Sequence, residues 1–467
     1  MTAIYAIAAI AGLVWGTLGL IRGSLLHGCL ALLAVTSTFG VLFFEFNAGI
    51  NLSIDRLALV GLVAAFVVQW KLGKVQLRPL VTVDYVLAAL MTVIFVNCCF
   101  LPWGGESQII QHFLNGYLIP LTIYAIARNL DYSERSVRHV LIFFVLFGIY
   151  LAATGVMEGL GQYRFLFPRY IADPEVGLHF GRARGPMAQS ISYGVYLATC
   201  LLAVWLMRDY VSDKWRLALY LLLPAFCAAI FFTKTRTVWL GAGGSLLVVL
   251  WLTLQGRART LVIGGLLTMA MLGGLTKLDG IIGLKREGSV QDTRRSVSMR
   301  ASFAYVSWQM FLDSPIVGHG FTQFKEAKLD YLGDRNVDLI LESIRDYDHH
   351  NTFLSVLVDL GVVGFVPFLA TYYFWARDAW RLARRTEPEW ARSIGILCLG
   401  VIVISWMQMF GHEITFTPID HLLIFFVAGM AIGAKQQLEL VSASLARVVP
   451  ATGRPQPAMT SYKGTTT

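Results

Sequence analysis

Apolar runs of nearly twenty residues recur along this chain from its start to about residue 434. That repetition restricts the fold more than any other feature. A helix of about 20 apolar residues crosses a hydrocarbon core, where its backbone can be satisfied only internally. We place spans near 2–21, 25–44, 57–70, 80–101, 109–127, 137–158, 187–207, 217–232, 237–254, 260–276, 353–376, 393–410 and 421–434. The reading is an all-α polytopic membrane protein with about 12–13 transmembrane helices and one long outer, periplasmic loop containing amphipathic helices. The first run lacks the basic segment of a signal peptide, so it is expected to remain as a helix. Composition agrees. Only 14% of the 467 residues are charged and mean hydropathy is +0.62, whereas a soluble domain is about a quarter charged.

The organisation expected is ten spans in residues 1–276, the long outer loop at 277–352, three more spans in 353–434, and a tail at 435–467. The end of the tail is rich in Ser, Thr, Pro and Gly, a composition that favours disorder. Lysine and arginine in short loops mark the cytoplasmic side. They gather at Lys71, Lys74 and Arg78, at Arg128, Arg135 and Arg138, and most densely at Arg377, Arg381, Arg384, Arg385 and Arg392. Loops 101–108 and 411–420, on the opposite side, contain none. The six cysteines all fall in spans or at their ends, which predicts no disulfide framework and no thiolate metal site.

Basic residues on the outer side run against this bias and ask for a reason. They occur at Arg164, Arg169, Arg182 and Arg184, at Lys234 and Arg236, and through the long loop. An anionic ligand would be one reason, since the planar guanidinium can grip phosphate with two donors at once. A solvated loop or contact with anionic headgroups is the plainer alternative. Arg236 stands in a four-residue polar break between apolar runs, and a charge so close to lipid is costly unless it is paired or functional.

In the long loop, Ser296 could cap a helix running to Leu312, with Met299, Phe303, Val306 and Met310 on one face and Arg300 to one side. Such an amphipathic helix would lie on the membrane surface or pack over the bundle. Gly318-His319-Gly320 reads as a turn, structural before functional. The segment Asp346-Tyr-Asp-His-His-Asn351 places two imidazoles and two carboxylates at the entry to the next span. A histidine there can take a proton from a hydroxyl near neutral pH, although membrane-edge histidines also serve simply to satisfy helix ends.

These segments together resemble the O-antigen ligase and polymerase family. Phe231-Phe-Thr-Lys-Thr-Arg-Thr-Val-Trp239 is similar to the family's short outer loop, in which Thr-x-Ser-Arg is typical. Residues 300–324 are similar to its loop helix and Pro-x-x-Gly-x-Gly-x-x-x-Phe ending. His350-Asn-Thr-Phe-Leu with Gly361-Val-Val-Gly364 is similar to its His-Asn-x-x-Leu…Gly-x-x-Gly. Arg184-Gly-Pro186 resembles a further position. The resemblance implies a bacterial inner-membrane glycosyltransferase with its active site facing the periplasm. Its donor would be an undecaprenyl-diphosphate-linked glycan, and its acceptor a hydroxyl of lipid A–core, another glycan or protein. It implies that Arg236 and Arg300 bind the diphosphate and His350 activates the acceptor, with Arg182, Arg184, His349 and Asn351 as substrate-binding positions. No metal, cofactor or nucleic acid is implied. Because His349 doubles the histidine, either imidazole could act. A base-assisted single displacement would invert the anomeric carbon.

Competing readings have their own residues. Asp346-x-Asp348 looks like the metal-holding motif of nucleotide-sugar transferases, but such donors are absent from the outer face. His412-Glu413 begins like a zinc-protease helix and lacks the second histidine; with Asp420 these residues could still face the outer cavity. A transporter or flippase for lipid-linked sugars would need polar groups in broken helices at repeated positions, and none is evident in the sequence. A scaffold would tolerate loss of Arg236, Arg300 and His350.

Overall fold

The structure is a computed structural model that describes residues 16–40, 43, 45–47, 51–101, 108–268 and 290–448. It is all-α apart from a three-residue antiparallel hairpin pairing Glu45–Asn47 with Asn51–Ser53. The helices are α1 Leu25–Thr38, α2 Ile54–Lys71, α3 Thr82–Phe100, α4 Ile109–Arg128, α5 Glu134–Gly159 and α6 Ser190–Met207. They continue as α7 Asp213–Phe232, α8 Arg236–Thr253, α9 Val290–Asp313, α10 Thr352–Ala383, α11 Glu389–Met409 and α12 Pro418–Val448. Among the described residues nine helices are long and apolar enough to cross a membrane.

Two expected spans lie wholly or partly outside the described residues, and two expected boundaries differ. The first, 2–21, lies mostly outside the described residues. Residues 256–268 begin the one expected at 260–276, whose remainder also lies outside them. The span expected at 25–44 ends at Thr38 and is bent by 117° against a helical turn over Gly16–Arg22. The last helix runs past residue 434 to Val448, so the first part of the supposed tail is helical.

The layering is set by packing. α6, α11 and α12 are the most buried and form the centre of the bundle, while α3, α7 and α8 show most of their apolar surface at its perimeter. Small residues permit close crossings where lipid offers no hydrophobic drive to pack. Gly429 and Gly433 of α12, for instance, leave no room for a Cβ against the α4 backbone at Tyr124 and Arg128.

α10 is not one straight span. Gly361 has φ 59° and ψ −163° in its middle. The ring of Phe353 touches Phe368 at 6.2 Å and Trp406 at 5.5 Å, yet positions fifteen apart on a straight helix are separated by roughly 22 Å. The helix is therefore folded at Gly361, and the apolar run read as a span from 353 begins its crossing only after the break. Hydropathy measured its length correctly and could not register its direction.

A break inside an apolar bundle frees backbone groups that must find partners. Residues 315–320 supply them. His319 and Gly320 donate their amides to the carbonyls of Val358 and Asp359 at 2.9 and 3.0 Å. Val362 and Val363 donate to those of Pro315 and Ile316 at 2.9 and 3.1 Å. The Gly318-His319-Gly320 turn thus approaches the α10 backbone, and a Cβ at Gly318 or Gly361 would overlap the opposing chain. The side chain of Asn97 on α3 accepts the Phe321 amide at 2.7 Å and ties this clasp to the bundle.

Beyond the clasp, the long loop folds on a small core of its own. Phe303, Val306 and Met310 of α9 pack with Phe324, Leu332, Leu341, Ile344 and Val358. The expected apolar face is correct, but the helix already includes Val290, so Ser296 lies inside it and is not its cap.

Candidate functional site

Asn351 caps α10, its Oδ1 accepting the Leu354 amide at 3.0 Å. Its Nδ2 donates to the carbonyl of Phe410 at 3.3 Å. Thr352 donates to the His412 carbonyl at 2.8 Å and accepts from the Ile414 amide at 3.1 Å. The entry to α10 is therefore sewn to the loop after α11. Gly411 in that loop lies against Thr237, where a Cβ would stand 2.6 Å from Cγ2. That contact brings Arg236, the first residue of α8, to the same end of the bundle. The positive dipole end of α8 lies at its amino terminus and favours negative charge there.

His350 is exposed, and its ring stacks on Phe303 at 5.1 Å and 18°. Its Nδ1 lies 2.9 Å from the carbonyl of Asp348. A carbonyl only accepts, so Nδ1 carries the proton and Nε2 keeps its lone pair in the neutral ring. Arg300 stands one turn before Phe303 on α9 and is exposed. The ring stack thus carries α9, and Arg300 with it, to the basic imidazole.

His349 is the opposite case. It is buried, its ring lies 3.5 Å from that of Phe324, and neither nitrogen has a protein partner. Burial, with the Lys328 ammonium and His350 nearby, pushes its pKa down to about 3. A buried weak base of this kind faces no acceptor. Lys328 lies behind it, fully buried, donating to the Tyr347 carbonyl and resting 5.2 Å from the Phe324 ring. Burial lowers its pKa to about 8. Lys328 fixes the turn whose next carbonyl orients His350. Nothing in its sequence setting singles it out.

Arg184 is also differently employed. It is wholly buried, and its guanidinium donates to the carbonyls of Val176, Ile171 and Asp173. It organises the 160–189 loop from within and offers no open fork to a ligand. Arg182, two residues earlier, is half-buried. Gln189 at the end of this loop lies 2.9 Å from His412 Nε2, joining the loop to the site. The His412 pKa is pushed down to about 4, chiefly by burial. Glu413 is buried beside it, accepts the Thr415 amide at 2.9 Å, and is raised by burial. Among the described residues no three His, Cys, Asp or Glu are grouped to ligate a metal ion.

Arg236, Arg300, His350 and the broken α10 thus lie at the same end of the bundle, drawn from separate stretches of the middle of the chain. Residues 219–369 match the family model of the O-antigen ligase. The O-antigen ligase match opens in α7 and closes in α10 eight residues beyond Gly361. It contains Arg236, Arg300, His349, His350, Asn351 and both halves of the clasp, and leaves Arg182 and Arg184 outside. It agrees with the family resemblance of the sequence motifs, and that family is one of membrane glycosyltransferase-like enzymes. No curated protein matches the chain.

Proposed function

We propose that this protein transfers a glycan from an undecaprenyl-diphosphate-linked donor to an acceptor hydroxyl at the periplasmic face of the bacterial inner membrane. The observation that carries the reading is His350: an exposed imidazole whose Nδ1 is held by a carbonyl, so that Nε2 is the free base. The acceptor hydroxyl gives its proton to Nε2 as its oxygen attacks the anomeric carbon. The bond from that carbon to the donor phosphate breaks, and the electron pair leaves with the diphosphate. Arg300, Arg236 and the amino terminus of α8 meet the growing negative charge, as preorganised donors do at a leaving group. Attack opposite the leaving group inverts the anomeric carbon.

The geometry supports the following distribution of roles within the motif. His350 is the base, His349 is a buried support, and Asn351 holds the helix cap rather than substrate. Arg184 shapes the neighbouring loop, and Arg182 remains a candidate contact to the donor.

The test is glycan assembly in a deletion strain complemented at matched expression with wild type, His350→Ala, His349→Ala, Arg236→Ala and Arg300→Ala. Loss of transfer in His350→Ala, with lipid-linked donor accumulating, is expected. Accumulated long chains would mark a ligase and accumulated single repeats a polymerase. Normal glycan in the His350 and both arginine variants would refute the reading.

A further inference from the structure

On three helices a polar residue at the His350 end of the bundle stands one turn above an apolar one. Asp55 is followed by Leu59 on α2 and Asn115 by Ile119 on α4. On α1, which runs antiparallel to α2, Thr36 is preceded by Leu32. Residues four apart share one helix face, and all six line a single cavity of about 210 Å³. One water needs only roughly 10–15 Å³ of such space. Pro418 and Leu422 of α12 line it beside α4, and Tyr170 and Met187 bring in the 160–189 loop. The cavity is thus polar at its rim and apolar in its depth, the profile of an amphiphile.

The rim carries charge of both signs. Arg56 lines the cavity together with Asp55, although successive helical residues point about 100° apart, so the cavity wraps the first turn of α2. Asp55 Oδ1 is shut from solvent and has no hydrogen-bond partner among the described residues. A carboxylate oxygen in that state calls for a cationic donor. The Arg56 guanidinium suits a phosphate. Asn115 adds an amide from a π turn at Leu114–Leu118, a widening of the helix frequent at functional sites. Asp55, Arg56, Leu59, Asn115 and Ile119 are only half-buried, so the cavity is open. Leu57 and Val60 on the same turns of α2 show 57% and 65% of their surface at the perimeter, which gives a lipid access from the bilayer. A primary ammonium and a phosphate on one acylated molecule satisfy rim and depth together. Phosphatidylglycerol has no ammonium, and the quaternary nitrogen of phosphatidylcholine has no N–H to give to Oδ1.

We propose that this cavity binds one molecule of phosphatidylethanolamine, with its ammonium on Asp55, its phosphate on Arg56 and the start of an acyl chain against Leu32, Leu59 and Ile119. The lipid would brace the 160–189 loop, whose end at Gln189 meets His412. The site is separate from the chemistry at His350 and does not depend on the donor reading.

Native mass spectrometry of the full-length protein tests it. Protein stripped of lipid in detergent is offered equal amounts of dioleoyl phosphatidylethanolamine, phosphatidylglycerol and phosphatidylcholine. One phosphatidylethanolamine should be retained in preference to the other two. Asp55→Asn should weaken its retention about tenfold, the loss of one charge-assisted contact, and remove the preference over phosphatidylcholine. Leu59→Trp keeps both charges, fills the apolar depth, and should also lower retention, with helix content unchanged by circular dichroism. Equal retention of all three lipids would make the cavity an ordinary membrane rim and overturn the site. So would retention of no lipid, or phosphatidylethanolamine binding undiminished in both variants. If Asp55→Asn does not fold, Leu59→Trp decides the matter by itself.

Discussion

The two ends of the bundle treat buried polar groups in opposite ways. At the arginine-rich end every oxygen of the two buried carboxylates is matched. Asp84 receives Tyr124 at 2.8 Å, the Val81 amide at 2.8 Å and Arg128 at 2.9 Å. Asp378 is met by Lys435 at 3.0 Å and by Arg377 at 2.9 Å, with Arg381 at 3.6 Å. At the His350 end, both nitrogens of His349 and one oxygen of Asp359 have no protein partner, although both residues are buried. Leaving such a group unmatched costs about 1–3 kcal/mol. Charge at the arginine-rich end holds helices together; at the other end it surrounds the exposed imidazole of His350.

The sharpest way to break this contrast is to exchange activity for stability at each end. His350→Ala should reduce glycan transfer about 10²–10⁴-fold, the usual contribution of a general base, with unchanged thermal unfolding in detergent. An equal loss in His349→Ala without loss of stability would erase the distinction drawn between the two imidazoles. Arg128→Met should act in reverse. It leaves the buried Asp84 carboxylate without its counter-charge, which costs about 3–5 kcal/mol, and should appear as a lowered melting temperature and reduced yield at every pH near neutrality.

The imidazole of His349 predicts a pH dependence of stability. Its folded pKa, about 3, lies below the unfolded value of about 6.5. The unfolded chain therefore binds the proton first, and stability falls as pH drops below about 6.5. Between pH 6.5 and 5 the loss from this residue is about 2 kcal/mol, at 1.36 kcal/mol per pH unit. His349→Phe should flatten the melting-temperature profile over that interval. A variant with the wild-type slope would show that the imidazole is solvated.

Gly361→Ala tests the clasp. The left-handed φ and the overlap with Ile316 together should cost about 1–3 kcal/mol, and the displaced α9 should lower transfer more than His349→Phe does. Wild-type transfer and stability would mean that the fold in α10 is not held there. The smallest effect belongs to Glu342→Ala. The pair with Arg345, at 2.7 Å, is more than half exposed on both sides, and such pairs contribute about 0–1 kcal/mol. Its loss should leave both melting temperature and transfer unchanged.

Much of this was legible in the residues. Apolar runs gave the helices, because a bilayer imposes both their length and their internal hydrogen bonding. The period of Met299, Phe303, Val306 and Met310 gave the buried face of α9. The motif around Asp346–Asn351 pointed to the candidate site, because chemistry needs particular side chains. Misreadings arose where partners decide a role. Arg184 carries the same outer positive charge as Arg236, yet its guanidinium is enclosed by carbonyls of its own loop. His349 and His350 are neighbours with the same side chain, and only the packing of Phe324 and Phe303 separates the buried ring from the exposed one. Asn351 could be read as a ligand until its cap bond was seen.

Sequence by itself determined that this chain crosses a membrane many times, which face of α9 is apolar, and which residue types gather near one end. Only the tertiary structure decided that α10 folds back at Gly361, that residues 315–320 complete its broken ladder, and that His350 Nδ1 meets the Asp348 carbonyl. The reason is physical. Hydropathy and helical period are properties of short stretches, whereas the direction of a chain after a break and the partner of a nitrogen are set by residues distant in sequence.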